Sequence, residues 1–195
     1  MSNDGVNTGR RRFLTAATTV VGAVGVVGAA VPFVGSWNPS AKAKAAGAPV
    51  KADISKLEPG QLLVVEWRGK PVYILRRTPE ALDAIRKMAD SVKDPNSEEA
   101  VQPSYISGEF RAIRDEYLVV LGLCTHLGCA PKYHPEVGAH GQNWLGGFFC
   151  PCHGSMFDLA GRVFKNVPAP TNLEIPPYKY ESDTVLVIGE DQEAA

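Results

Sequence analysis

Cys124-Thr125-His126-Leu127-Gly128-Cys129 and Cys150-Pro151-Cys152-His153-Gly154-Ser155 hold all four cysteines of the chain and two of its four histidines. Each stretch offers sulfur and imidazole ligands a few residues apart. The twenty residues between them leave room for the two loops to close on one another. Clustered thiols and imidazoles make poor core material and good metal ligands, so the chemistry of this chain is expected there.

Working outward, the residues around these loops read mostly as strands. Tyr117–Leu123 is a β-branched and aromatic run that leads into the first loop, and Gly146–Phe149 leads into the second. Leu62–Trp67 and Pro71–Arg77 flank Arg68-Gly69-Lys70 as a hairpin. Phe157 and Val163-Phe164 flank Asp158-Leu159-Ala160-Gly161-Arg162 as another, and Thr184–Ile188 is a closing strand. One short helix is expected. Thr78 caps it, Pro79 and Glu80 open it, and Leu82, Ile85, Met88, Ala89 and Val92 give it an apolar face. Residues 93–109, with Pro95 and Pro103, read as irregular loop. The expected fold is a mainly β, antiparallel head over 51–195, with the metal-binding part inserted at about 121–170.

The N-terminal part is different material. Residues 1–12 end in Arg10-Arg11-Arg12, and no charge follows from Phe13 to Ala41. The 22 residues Phe13–Val34 would reach about 33 Å as helix, enough for a hydrocarbon core of ~30 Å. A single transmembrane helix is therefore expected over 13–37, with the arginines holding the N-terminus in the cytoplasm. Arg-Arg-x-Phe-Leu also resembles a twin-arginine export signal, with Gly9 where Ser or Thr is usual. Gly22, Gly25 and Gly28 thin one side of the helix and suit the approach of a second membrane helix. Residues 38–50 lack large apolar anchors and read as a tether, spanning roughly 20 Å as helix and roughly 43 Å extended.

From Lys51 onward there are 15 basic and 20 acidic residues, a net charge of −5, and no basic stripe with aromatic interleaving. Nucleic acid is not an expected partner. Two Cys and two His are a zinc ligand set on general grounds. The pairs here are Cys-x-His and Cys-x-x-His, and Cys129 and Cys152 remain over.

The two stretches resemble the paired boxes of Rieske iron–sulfur proteins of the disulfide-containing kind. The resemblance implies a 2Fe–2S cluster with Cys124 and Cys150 on one iron and His126 and His153 on the other. It implies a Cys129–Cys152 disulfide, with Leu127, Gly128, Pro168 and Pro170 in an apolar lid and docking tip. Two imidazoles in place of two thiolates leave the oxidised cluster neutral, so an added electron costs less in a poorly solvating pocket. Potentials of roughly −150 to +300 mV are known for such centres. Ser155 matches the family serine that bonds a bridging sulfide. Phe157 stands where the family pattern has a tyrosine that bonds a cysteine sulfur, and phenylalanine has no donor, so a lower potential than in tyrosine-bearing relatives is expected.

Anchor, tether and head together resemble the iron–sulfur subunit of a ubiquinol–cytochrome c reductase. That implies ubiquinol oxidation at cytochrome b with His153 contacting the quinol, and electron delivery to a membrane-anchored c-type cytochrome subunit. It also implies a dimeric multi-subunit complex in the bacterial inner membrane with the head in the periplasm. The competing resemblance is to the small Rieske subunit of arsenite oxidase. His134 and His140 are expected to be ordinary solvent-facing side chains, and Trp67 and Trp144 core or rim residues.

Overall fold

In a computed structural model, which describes residue 5 and residues 7–191, the chain divides into two compact units after Ala45. The first is dominated by α1, Thr8–Ser36, and a short α2, Ala41–Ala46, runs across the boundary. Asn7 caps α1 by accepting a hydrogen bond from Arg10 N at 3.0 Å, so the helix starts ahead of the apolar run and carries all three arginines. Thr15, Thr18 and Thr19 turn their hydroxyls back onto the carbonyls of Arg11, Leu14 and Thr15, at 2.8–2.9 Å. That satisfies polar groups on a helix whose surroundings would be lipid. No residue of α1 is buried, and the segment Thr8–Ala45 has a mean hydropathy of 2.0 over its most apolar window. It is long and apolar enough to cross a membrane. Trp37 ends the helix two residues before Pro39, which cannot continue it.

The second unit is built of three antiparallel three-stranded sheets. Strands β2 (Leu62–Trp67), β3 (Lys70–Arg76) and β4 (Tyr117–Leu121) form one. Strands β1 (Val50–Asp53), β9 (Val185–Ile188) and β8 (Tyr178–Ser182) form the second, with β9 central. The third joins β5 (Lys132–His134), β6 (Gly147–Phe149) and β7 (Met156–Phe157), and this small sheet carries the cysteine loops. The β2–β3 hairpin pairs Trp67 with Lys70, so its turn is the dipeptide Arg68-Gly69, both at positive φ. Lys70, read as turn, belongs to β3.

All five residues of β4 are buried, as a central run of Tyr, Leu and Val demands. Val72, Ile74 and Leu75 of β3 and Leu118, Val119 and Val120 of β4 are at most 1% exposed, each contributing about 1.5–3 kcal/mol of burial. Helix α3, Pro79–Lys87, is capped by Thr78 Oγ1 from Ala81 N and packs Ala84 and Ile85 inward. It stops at Lys87, and a 3₁₀ turn, Ala89–Ser91, carries the chain on to Val92. The apolar spacing continues past Lys87 because Met88 and Val92, which flank that turn, are core residues. The expected 157/163–164 hairpin is short: one bridge joins Phe157 to Val163, with Phe164 N donating to Met156 O at 3.0 Å and Asp158 N to Arg162 O at 2.9 Å, while the other edge of Phe157 pairs with Phe148 of β6.

Candidate metal centre

The loop after β4 and the loop after β6 fold in the same way. Cys124 N donates to Cys129 O at 2.8 Å and Gly128 N to Cys124 O at 2.9 Å; Cys150 N donates to Ser155 O at 2.8 Å and Gly154 N to Cys150 O at 3.0 Å. Each loop thus wraps its first cysteine, and each closes through a glycine four residues on. Gly128 and Gly154 have φ of 81° and 77°, which a residue with a Cβ adopts only under strain.

Cys124 and Cys150 are 3% and 2% exposed and neither is disulfide-bonded. Cys129 and Cys152 are bonded to each other across the two loops. The sulfurs of Cys129, Cys150 and Cys152 lie within 4.8 Å of one another, so Cys150 packs against the disulfide. Two of those three sulfurs are spent in the S–S bond and cannot serve as thiolate ligands. The rings of His126 and His153 are 4.8 Å apart between centroids and meet at 83°. His126 Nδ1 is buried with no hydrogen-bond partner among the described residues.

The thiol of Cys124 is pushed up from its ordinary value, mainly by burial, and also by Cys150; hydrogen bonds from the His126 backbone and from Ser155 work in the opposite direction. The Cys124 thiol, raised in this way, resists ionising on its own, and a bound cation reverses that preference. A buried imidazole nitrogen without a partner carries a desolvation cost that a metal bond removes. The donor set therefore fits a metal centre held by two inner sulfurs and two outer imidazoles.

Surrounding contacts hold this arrangement. Ser155 is fully buried and its Oγ accepts from Ala169 N at 3.0 Å, which ties the 167–170 segment to the second loop. Leu127 is 72% exposed beside the histidines, with Gly128, Pro168 and Pro170 also at the surface. Phe157 is fully buried, and Gly147 lies so close to it that a Cβ there would meet Phe157 O.

Sequence reading missed two supports. Tyr73 Oη donates to Pro131 O at 2.9 Å, joining β3 to the chain just after the first loop. Behind β7, the buried Asp158 carboxylate accepts from Ala160 N, Arg162 N and Arg162 Nε at 2.7–2.9 Å. Buried Arg111 donates to the carbonyls of Ala160, Gly161 and Leu173. The Asp158–Arg162 spacing marked a turn; nothing in it announced the burial.

His134 and His140 are not solvent-facing. Both are half-buried, and His140 is stacked on Phe149 at 4.0 Å and 7°. The loop 135–146 folds back over β6, which gives His140 an aromatic floor that its sequence neighbours do not reveal. Trp144 is 1% exposed and Trp67 6%, so both are core.

Comparison with known proteins places residues 49–179 under the family model "Rieske [2Fe-2S] domain". Residues 1–40 match "Ubiquitinol-cytochrome C reductase Fe-S subunit TAT signal". The ubiquinol-cytochrome c reductase iron-sulfur subunit of Allochromatium vinosum is 61% identical over 100% of this chain and 95% of its own length. The subunit of the same name from Bradyrhizobium diazoefficiens is 45% identical over 92% of this chain and 94% of its own. Among solved structures, a chain of a hyperthermophilic respiratory Complex III is 28% identical with a TM-score of 0.48, covering 88% of this chain and 98% of that one.

Proposed function

This chain belongs to the ubiquinol–cytochrome c reductase iron–sulfur subunits, and we propose that Cys124, His126, Cys150 and His153 are the ligands of its Rieske 2Fe–2S cluster. It is a subunit of an oxidoreductase complex and not a complete enzyme by itself. The observation that carries the ligand assignment is the pairing of two buried, unbonded thiols with two facing imidazoles, one of which has a buried nitrogen lacking any partner. The arsenite oxidase reading is not retained, because the relatives named above are reductase subunits matched along essentially their whole length.

When bound, the cluster supplies a one-electron acceptor whose charge change is felt by its imidazole ligands. The chain's own residues do the rest. His153 is exposed and offers a ring nitrogen to a quinol hydroxyl, taking a hydrogen bond and then a proton at that atom. Leu127, Gly128, Pro168 and Pro170 give this tip an uncharged rim, which suits transient docking to an apolar partner surface. Only Lys132, Glu136, Asp158, Arg162 and Lys165 are charged in residues 121–170, and Asp158 and Arg162 are consumed in a buried pair. The docking partners are cytochrome b, where ubiquinol binds, and a membrane-anchored c-type cytochrome subunit, within a dimeric complex. Residues 38–50, of which Val50 already belongs to β1, serve as the tether between the membrane helix and the head. The helix spans the bacterial inner membrane once, the twin-arginine-like segment stays cytoplasmic, and the head is periplasmic.

The test is His153→Ala in the assembled complex. Quinol turnover should fall to background, and the electron-paramagnetic-resonance signal of the dithionite-reduced cluster should be lost or strongly altered. Retained turnover would remove the assignment of His153, and a wild-type cluster signal in the variant would remove its role as a ligand.

A further inference from the structure

The second pair of histidines repeats the geometry of the first. His134 and His140 have ring centroids 4.9 Å apart and planes at 80°, against 4.8 Å and 83° for His126 and His153. Two imidazoles bound to one ion through nitrogen at ~2.0–2.1 Å, with angles of about 90–109° between them, put their centroids about 4.5–5.2 Å apart. The His134–His140 spacing lies inside that window.

Both rings are held where they are by the fold. His134 ends β5, paired with Gly147 of β6. His140 is stacked on Phe149 at 4.0 Å, with the Trp144 ring nearly perpendicular to it at 4.8 Å, on a loop turned by Gly138 and Gly141, both at positive φ. His140 Nε2 is shielded from solvent and has no hydrogen-bond partner among the described residues, so a ring nitrogen of this pair is left without a donor or acceptor there. A cavity of about 400 Å³ borders His140 and is lined also by Asp90, Gln142, Asn143 and Lys165; it reaches the pair from the His140 side, and His134 lies outside its lining. Glu136 lies within electrostatic reach of His140 and offsets part of the charge of a cation.

We propose that His134 and His140 form a second metal site, separate from the cluster, that binds one exchangeable divalent transition ion of the copper(II) or zinc(II) class through two imidazole nitrogens. Imidazole is the donor those ions share, and with only two protein ligands water completes the coordination. The ion would pin the 135–146 loop onto the end of β5, which pairs with β6, the strand that runs into Cys150.

The test uses the full-length, cluster-loaded protein in detergent, cleared of loose metal with a chelator and kept oxidised. Its two ferric ions are then coupled to zero net spin, so added copper(II) is seen alone by electron paramagnetic resonance. Wild type should bind one equivalent more than H134A/H140A, with hyperfine structure from two imidazole nitrogens. The variant should keep the reduced-cluster spectrum of the wild type. Equal binding by wild type and variant overturns the proposal. So does a wild-type copper spectrum without two-imidazole coordination, a reading that stands even where the variant does not fold.

Discussion

Thr125 and Thr171 are joined across the metal-loop region: the Thr125 hydroxyl donates to the Thr171 carbonyl at 2.7 Å. The donor sits between the proposed ligands Cys124 and His126, and the acceptor directly follows Pro170. This bond and the one from Ala169 N to Ser155 Oγ fasten the 167–171 segment to both loops. Thr125→Val keeps the shape and removes the donor. The expected cost is about 1 kcal/mol of head stability, with faster loss of the cluster on standing. Thermal melts followed by the cluster's visible absorbance measure both, and a variant that melts and bleaches like wild type would show the tie to be dispensable.

The metal loops were readable because ligand chemistry is local: residue type and spacing within six positions carry the information. The apolar strand β4 and the capped helix α3 were readable for the same reason. Strands β1, β5 and β8 were not. Val50-Lys51-Ala52-Asp53 has no pattern beyond alternation, and it becomes a strand by pairing with Val185–Ile188 at the far end of the chain. The stacking of His140 on Phe149 depends on how the 135–146 loop turns back, and the burial of Arg111 and Arg162 on carbonyls of distant segments. Short-range pattern has no access to these.

Phe157→Tyr returns the hydroxyl that the family pattern has at this position. Phe157 is fully buried, so the new donor has no water to turn to and must find an acceptor among its neighbours. A bond to a cysteine sulfur favours the reduced, more negative state. A charge-assisted bond of ~1.5–3 kcal/mol corresponds to at most roughly 60–130 mV, and a rise of some tens of millivolts is expected. Redox titration of the head reads it directly; an unchanged or lower potential would refute the argument.

Replacing Cys129 and Cys152 by serine removes a crosslink between residues 23 apart. Loop-closure entropy alone makes that worth roughly 3 kcal/mol. The disulfide also backs Cys150, so the second loop loosens where a proposed ligand sits. The variant should unfold at lower denaturant concentration and lose its cluster more readily. Urea titrations of wild type with and without reductant should bracket the same difference, and coincident curves would show that the loops hold without the bond.

Asp158→Asn should be the most damaging of these changes, because it leaves the Arg162 guanidinium buried without its counter-ion. Both side chains are 0% exposed, and Arg162 reaches beyond Asp158 to the carbonyls of Ile85 and Pro95, linking the 158–162 turn to α3 and to the loop after it. Asparagine can still accept from the backbone N–H groups of Ala160 and Arg162, so the turn itself is spared and the charge imbalance is isolated. Breaking a buried pair on one side costs about 3–5 kcal/mol. For a head of this size that lowers the melting temperature by roughly 10 °C. The contrast is Lys51→Ala, which breaks an ion pair with Glu181 whose side chains are 64% and 47% exposed; such a pair is worth about 0–1 kcal/mol and its loss should barely move the melt. Calorimetry on the two variants side by side separates the cases. Equal melting temperatures for D158N and K51A would mean that water reaches Arg162 and that the turn behind the metal loops is not the rigid support its burial implies.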